Sequence, residues 1–175
     1  MTYKGEITRA METLAEDQRT RFIGYGLKSG RALGTLGNVR ESQIVETTVA
    51  ENLMVGMAIG MSLAGLRPVV YIERLDFIFN AMDALVNHLD KMGHESGEQF
   101  SPAIIIRATV GNRKKPLFTG STHTGDYSGA LAAMFANVTV SRLEEPQFVQ
   151  NYYAVAVDEL ELGKSTLLVE YKDLF

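Results

Sequence analysis

Apolar residues recur along the chain in two patterns. Ile7, Ala10, Met11 and Leu14 fall at helical spacing and predict a helix from about Lys4 to Asp17. V-V-Y-I at 69–72, A-I-I-I at 103–106 and T-L-L-V at 166–169 are instead short unbroken runs. Such runs mark strands of a parallel sheet covered on both faces. The remaining elements follow in order. Short strands are predicted at Arg21 to Gly26 and Ile44 to Thr48, separated by a glycine-rich loop over Gly30 to Asn38. A helix from Glu51 to Ala64 is apolar on nearly all sides, which predicts that it is buried. Its Gly56 and Gly60, one turn apart, allow another backbone to come close. Then come a strand at Pro68 to Glu73, a helix at Phe77 to Met92, a strand at Pro102 to Ala108 and a loop at Gly111 to Gly125. A helix at Tyr127 to Phe135, a strand at Asn137 to Ser141, a helix at Pro146 to Glu161 and a strand at Ser165 to Glu170 complete the order. Proline suits the first turn of a helix, which favours Pro146 there.

Strands and helices alternate from end to end, so residues 1–175 are expected to form one α/β domain: three layers, α/β/α, around a mostly parallel sheet. Ligands in such sheets bind beyond the carboxyl ends of the strands. Functional residues are therefore expected after Thr48, Glu73, Ala108 and Ser141.

Bulk properties narrow the field. Hydrophobic residues make up 46% and charged residues 22%, an ordinary globular balance. A net charge of -4 argues against a general nucleic-acid binder. The chain has no cysteine, which removes disulfides, thiolate zinc sites and cysteine nucleophiles and fits a reducing cytoplasm. Met1 to Thr20 is charged and polar throughout, unlike a signal peptide. The longest uncharged apolar stretch, Asn52 to Leu66, falls short of a membrane span and is broken by three glycines. Neither the phosphate-binding G-x-x-x-x-G-K-[ST] loop nor a strand followed by G-x-G-x-x-G occurs, and no His/Asp/Glu cluster has metal-ligand spacing.

Two residues stand out chemically. Glu51 follows a short strand and opens the most hydrophobic helix. A carboxylate there can serve the positive end of the helix dipole. If the helix start is buried, the carboxylate also loses water, which favours proton exchange and makes Glu51 an acid/base candidate. His123 lies in T-G-S-T-H-T-G-D, at a ligand-facing end; it is a surface histidine or a proton-transfer and oxyanion-binding group. His88 and His94 are expected to face solvent, and Arg113-Lys114-Lys115 to be a solvated basic run.

Five stretches, in the right order over nearly the whole chain, resemble the pyrimidine-binding domain of transketolase-like thiamine-diphosphate enzymes. They resemble most the β subunit of the pyruvate-type 2-oxoacid dehydrogenase first component. The stretches are E-T-T-V-A-E-N-L-M-V-G-M-A-I-G-M-S-L-A-G-L-R-P-V-V, A-M-D-A-L-V-N-H-L-D-K, P-A-I-I-I-R-A-T-V-G, T-H-T-G-D-Y and T-L-L-V-E-Y-K-D-L-F. The resemblance implies that Glu51 hydrogen-bonds a ring nitrogen of the cofactor's aminopyrimidine and sets its tautomer. It implies that His123 faces the reacting substrate, and that Phe77 or Phe79 lies against the pyrimidine, Phe77 being favoured. Leu75 departs from the family at an aromatic position. The segment from Tyr25 to Ile44 is shorter than in the family, and the family's carboxy-terminal domain has no counterpart before Phe175. The diphosphate- and Mg2+-binding half is likewise expected on a separate α-like subunit, in an α2β2 assembly. The implied substrate is a small 2-oxoacid or ketose, with a split transketolase or a regulatory subunit as alternatives and no nucleic acid or membrane as partner.

Overall fold

In the computed structural model, residues 2–117 and 120–175 are described. Six strands, β1 (Thr20–Gly24), β2 (Ile44–Glu46), β3 (Arg67–Ile72), β4 (Ile105–Val110), β5 (Val138–Arg142) and β6 (Ser165–Tyr171), form one sheet in the order β2-β1-β3-β4-β6-β5. Every pairing is parallel, with Phe22 beside both Ile44 and Val69, and Ile105 beside both Val69 and Thr166. The sheet is thus all parallel, within the three-layer α/β architecture that the apolar runs predict.

The unbroken runs divide by alternation, because successive strand side chains point to opposite faces. Ile23, Val70, Ile72, Ile106, Ala108, Leu167 and Val169 enter one core. That core is covered by α3 (Glu51–Leu63), the segment 75–89 and α5 (Ser128–Met134). Phe22, Val69, Tyr71, Ile105 and Leu168 enter the other, beneath α1 (Tyr3–Glu16), α2 (Leu27–Gly34) and α6 (Val149–Glu161). On this second face Arg107 and Glu170 are buried among apolar groups. Arg107 Nε and Nη2 donate to the two Glu170 oxygens at 2.9 and 3.0 Å, and Tyr153 Oη donates to Glu170 at 2.6 Å.

Three expectations need correction. The loop expected over Gly30 to Asn38 begins instead within α2, whose start is capped from a distance: Gly26 and Lys28 N–H groups donate to the Glu46 carboxylate at 2.5 and 2.7 Å. Arg31, Ala32 and Leu33 then turn left-handed, with φ of 49°, 47° and 59°. Burial of Ala32 and Leu36 in the second core, and Thr35 Oγ1 donating to the Ala32 carbonyl at 2.7 Å, hold this turn.

The helix expected from Phe77 to Met92 is a 3₁₀ segment, Leu75–Ala81, followed by a wider π turn, Asp83–Leu89, and α4 (Met92–Glu95). Leu75, Ile78 and Ala81 are all fully buried. Their three-residue spacing aligns them most closely in the tighter 3₁₀ winding. The third correction concerns α3, which is buried on one face alone. Glu51, Met54, Val55, Ala58 and Ile59 face inward, while Leu53 (52% exposed), Gly56, Gly60 and Leu63 face outward.

Candidate functional site

The candidate residues lie beyond the carboxyl ends of β1–β4, which include the segments expected after Thr48, Glu73 and Ala108 but not the one after Ser141. From β2 the chain crosses in four residues, Thr47 to Ala50, to the first turn of α3. Thr47 N donates to the Gly24 carbonyl at 2.9 Å, which ties this crossing to the end of β1. Ala50 offers no side-chain cap. Glu51 therefore starts the helix with its carboxylate turned inward, and it is 3% exposed. Its Oε2 accepts from Asn80 Nδ2 at 3.3 Å. Its Oε1 is buried and without a partner. Asn52, the next residue, accepts the Ala84 N–H at 3.1 Å and fastens the helix start to the segment beyond β3.

That segment carries the two candidate aromatics. Phe77 meets His123 edge-on, with ring centroids 5.1 Å apart. Phe79, half-exposed, meets Tyr127 edge-on at 4.8 Å. The loops after β3 and β4 are also joined through Asp76, whose Oδ1 accepts the Gly125 N–H at 3.2 Å and whose Oδ2 is buried and unpartnered. His123 is half-buried, and its Nδ1 lies 2.9 Å from Thr122 Oγ1. Gly111 makes this arrangement possible, since a Cβ there would collide with the His123 carbonyl oxygen. Phe118 and Thr119, which belong to the loop expected over Gly111 to Gly125, lie outside the described residues.

The surroundings are mostly acidic. Tyr25, at the end of β1, is half-buried; burial first, then the Glu73 and Glu51 charges, hold its phenol well above the ordinary value, so it stays a neutral donor. Arg74 is buried, with Nη1 3.3 Å from a Glu73 carboxylate oxygen and Nε unpartnered. His88 and His94 are exposed, as expected. Lys114 and Lys115 are exposed too, but Arg113 is not simply solvated: its Nε contacts Asp173 at 3.0 Å. Among the described residues no group of three or more His, Cys, Asp or Glu side chains could hold a metal ion.

Phe77 and His123 therefore come together, while Glu51 meets Asn80, the neighbour in sequence of Phe79, which pairs with Tyr127. Asn80, Asp76 and Tyr25 belong to no motif that marks them in the sequence. The one available signal for Asn80 is its spacing of three from Phe77, which matters only once the 3₁₀ winding is known.

Glu51 thus presents a buried carboxylate with one bare oxygen at the carboxyl edge of a parallel sheet. The family model of the transketolase pyrimidine binding domain matches residues 1–175, and the chain belongs to that family. Among its relatives, the 2-oxoisovalerate dehydrogenase subunit beta of Bacillus subtilis (strain 168) is 30% identical over 144 residues, covering 78% of this chain and 42% of that protein. The pyruvate dehydrogenase E1 component subunit beta of the same organism is 28% identical over 138 residues, with 75% and 42% covered. A solved structure, "Split gene transketolase, inactive beta4 tetramer", has the same fold, with a TM-score of 0.74 at 15% identity over 98% of this chain and 51% of that one. The chain spans about two fifths of the length of these curated relatives. Among the described residues no helix is long and apolar enough to cross a membrane.

Proposed function

We propose that residues 1–175 act as one pyrimidine-binding unit of a two-chain thiamine-diphosphate enzyme that works on a small 2-oxoacid. The observation that carries this reading is the buried, unpartnered Oε1 of Glu51. A polar atom left bare in a protein interior costs about 1–3 kcal/mol, so its persistence points to a ligand that completes it. The aminopyrimidine of thiamine diphosphate fits, because its ring nitrogen can share a proton with that oxygen. When bound, this cofactor supplies a nucleophilic carbon and an electron sink for cleavage beside a carbonyl.

The chain's own residues supply position and proton control. Glu51 holds a proton at Oε1 and exchanges it with the ring nitrogen. Phe77, or Phe79, packs against the ring. His123, beside Phe77, donates to or takes a proton from the substrate oxygen. The apolar residues around Glu51 keep water from competing for its carboxylate. Mg2+ and the diphosphate are assigned to a separate α-like chain, in an assembly of the α2β2 kind and a cytoplasmic setting. The outward face of α3 is the surface offered to that assembly.

The test is to combine the chain with a partner carrying the diphosphate-binding motif and to assay turnover with and without thiamine diphosphate. Cofactor-dependent consumption of a 2-oxoacid supports the reading. Consumption of a ketose alone moves the chain to a split transketolase, and no turnover with any competent partner leaves a regulatory subunit.

A further inference from the structure

Glu51 meets the protein unequally through its two oxygens. Asn80 Nδ2 donates to Oε2 at 3.3 Å, and Oε1 has no partner. An amide N–H can only donate. While it faces Oε2, that oxygen serves as the acceptor, and a proton on the carboxyl group belongs on Oε1. Ala84 N–H to Asn52 Oδ1, at 3.1 Å, ties the first turn of α3 to the segment that carries Asn80. Asn80 itself is exposed and lies in the 3₁₀ segment between Phe79 and the buried Ala81. Nothing in its own burial calls for an amide there.

We propose that Asn80 is a positioning residue that gives Glu51 its direction: it claims Oε2, turns Oε1 toward the ligand and keeps the exchangeable proton on that oxygen. The inference rests on the aminopyrimidine reading of the site and extends it to a residue that need not touch the ligand. It also states what the ligand must provide, a ring nitrogen in line with Oε1 that can stand as acceptor or donor. Asn80→Asp keeps the shape but replaces the donor with an acceptor, so the two carboxyl groups repel or share a proton on the Oε2 side. Asn80→Leu removes the donor without adding an acceptor.

The experiment follows binding of the free methylaminopyrimidine fragment of thiamine to the full chain by nuclear magnetic resonance. A parallel series uses the pyridine analogue that carries CH in place of the nitrogen expected to face Glu51. Asn80→Asp is expected to weaken the pyrimidine roughly tenfold, and Asn80→Leu somewhat less, the scale of one charge-assisted hydrogen bond. Neither variant should change binding of the analogue. Unchanged amide spectra and thermal midpoints, expected at an exposed position, show that both variants fold. Equal weakening of both ligands, or of neither, overturns the role of Asn80. If wild-type chain and Glu51→Gln treat both ligands alike, the pyrimidine reading itself fails, a result that no Asn80 variant can produce.

Discussion

Burying a carboxylate costs several kcal/mol unless other groups replace its water. Glu51 has one partner for its two oxygens. Glu51→Gln keeps the size and the contact region but ends proton exchange. The variant should fold with a thermal midpoint near that of the wild type while turnover in the reconstituted enzyme falls by about 10²–10⁴. Near-wild-type turnover would remove Glu51 from the chemistry. Gly111 makes a second test at this scale. Because a Cβ there would strike the His123 carbonyl, Gly111→Ala should cost ~1–3 kcal/mol in denaturant unfolding and displace His123 from Phe77. An unchanged midpoint together with unchanged His123 ring signals would show that the loop moves freely aside. Glu51 was legible in the sequence because the apolar helix behind it signalled burial. Asn80 and Asp76 were not, since each acquires its role from a hydrogen bond to a residue far along the chain.

At the scale of elements, strands were the most legible, because a continuous apolar run suits a two-sided sheet whatever surrounds it. The segment 75–89 was less so: Leu75, Ile78, Ala81, Ala84 and Leu85 satisfy helical spacing loosely, and only packing against α3 selects the tight and wide windings. The turn at Arg31–Leu33 was illegible, since its left-handed residues are not glycine and are held from outside. For α3, the apolar composition predicts burial, and within this chain one face alone is buried. Leu53 and Leu63 instead face outward around Gly56 and Gly60. A face of this kind implies a covering surface. Leu53→Glu should leave the isolated chain within about 0.5 kcal/mol of wild-type stability, as an exposed substitution does. It should also abolish assembly with the partner in analytical ultracentrifugation. A variant that still assembles would place the contact elsewhere.

At the scale of the whole molecule, the two sheet faces have different tasks. The face beneath α1, α2 and α6 carries the Arg107–Glu170 pair, which also reaches the left-handed turn through Arg107 Nη2 and Thr35 Oγ1 at 3.1 Å. Removing one member leaves a buried charge, so Arg107→Leu should cost ~3–5 kcal/mol, and adding Glu170→Leu should recover much of that loss. The other face carries α3 and the aromatic segment, to which the proposed pyrimidine site belongs. This division predicts how the isolated chain binds. In the proposed site, Glu51 and Phe77 or Phe79 address one ring of thiamine diphosphate, while the diphosphate and its metal are assigned to a second chain. The charged tail would then remain in water and contribute almost nothing to affinity. Each 1.4 kcal/mol of missing contact is about tenfold in Kd. Calorimetry should therefore find binding to the monomeric chain weaker than micromolar and little different from that of the free pyrimidine fragment. Tight binding should emerge only with the partner and magnesium. Micromolar affinity in the monomer would mean that this chain grips the diphosphate itself, and the division of the site between two chains would then be wrong.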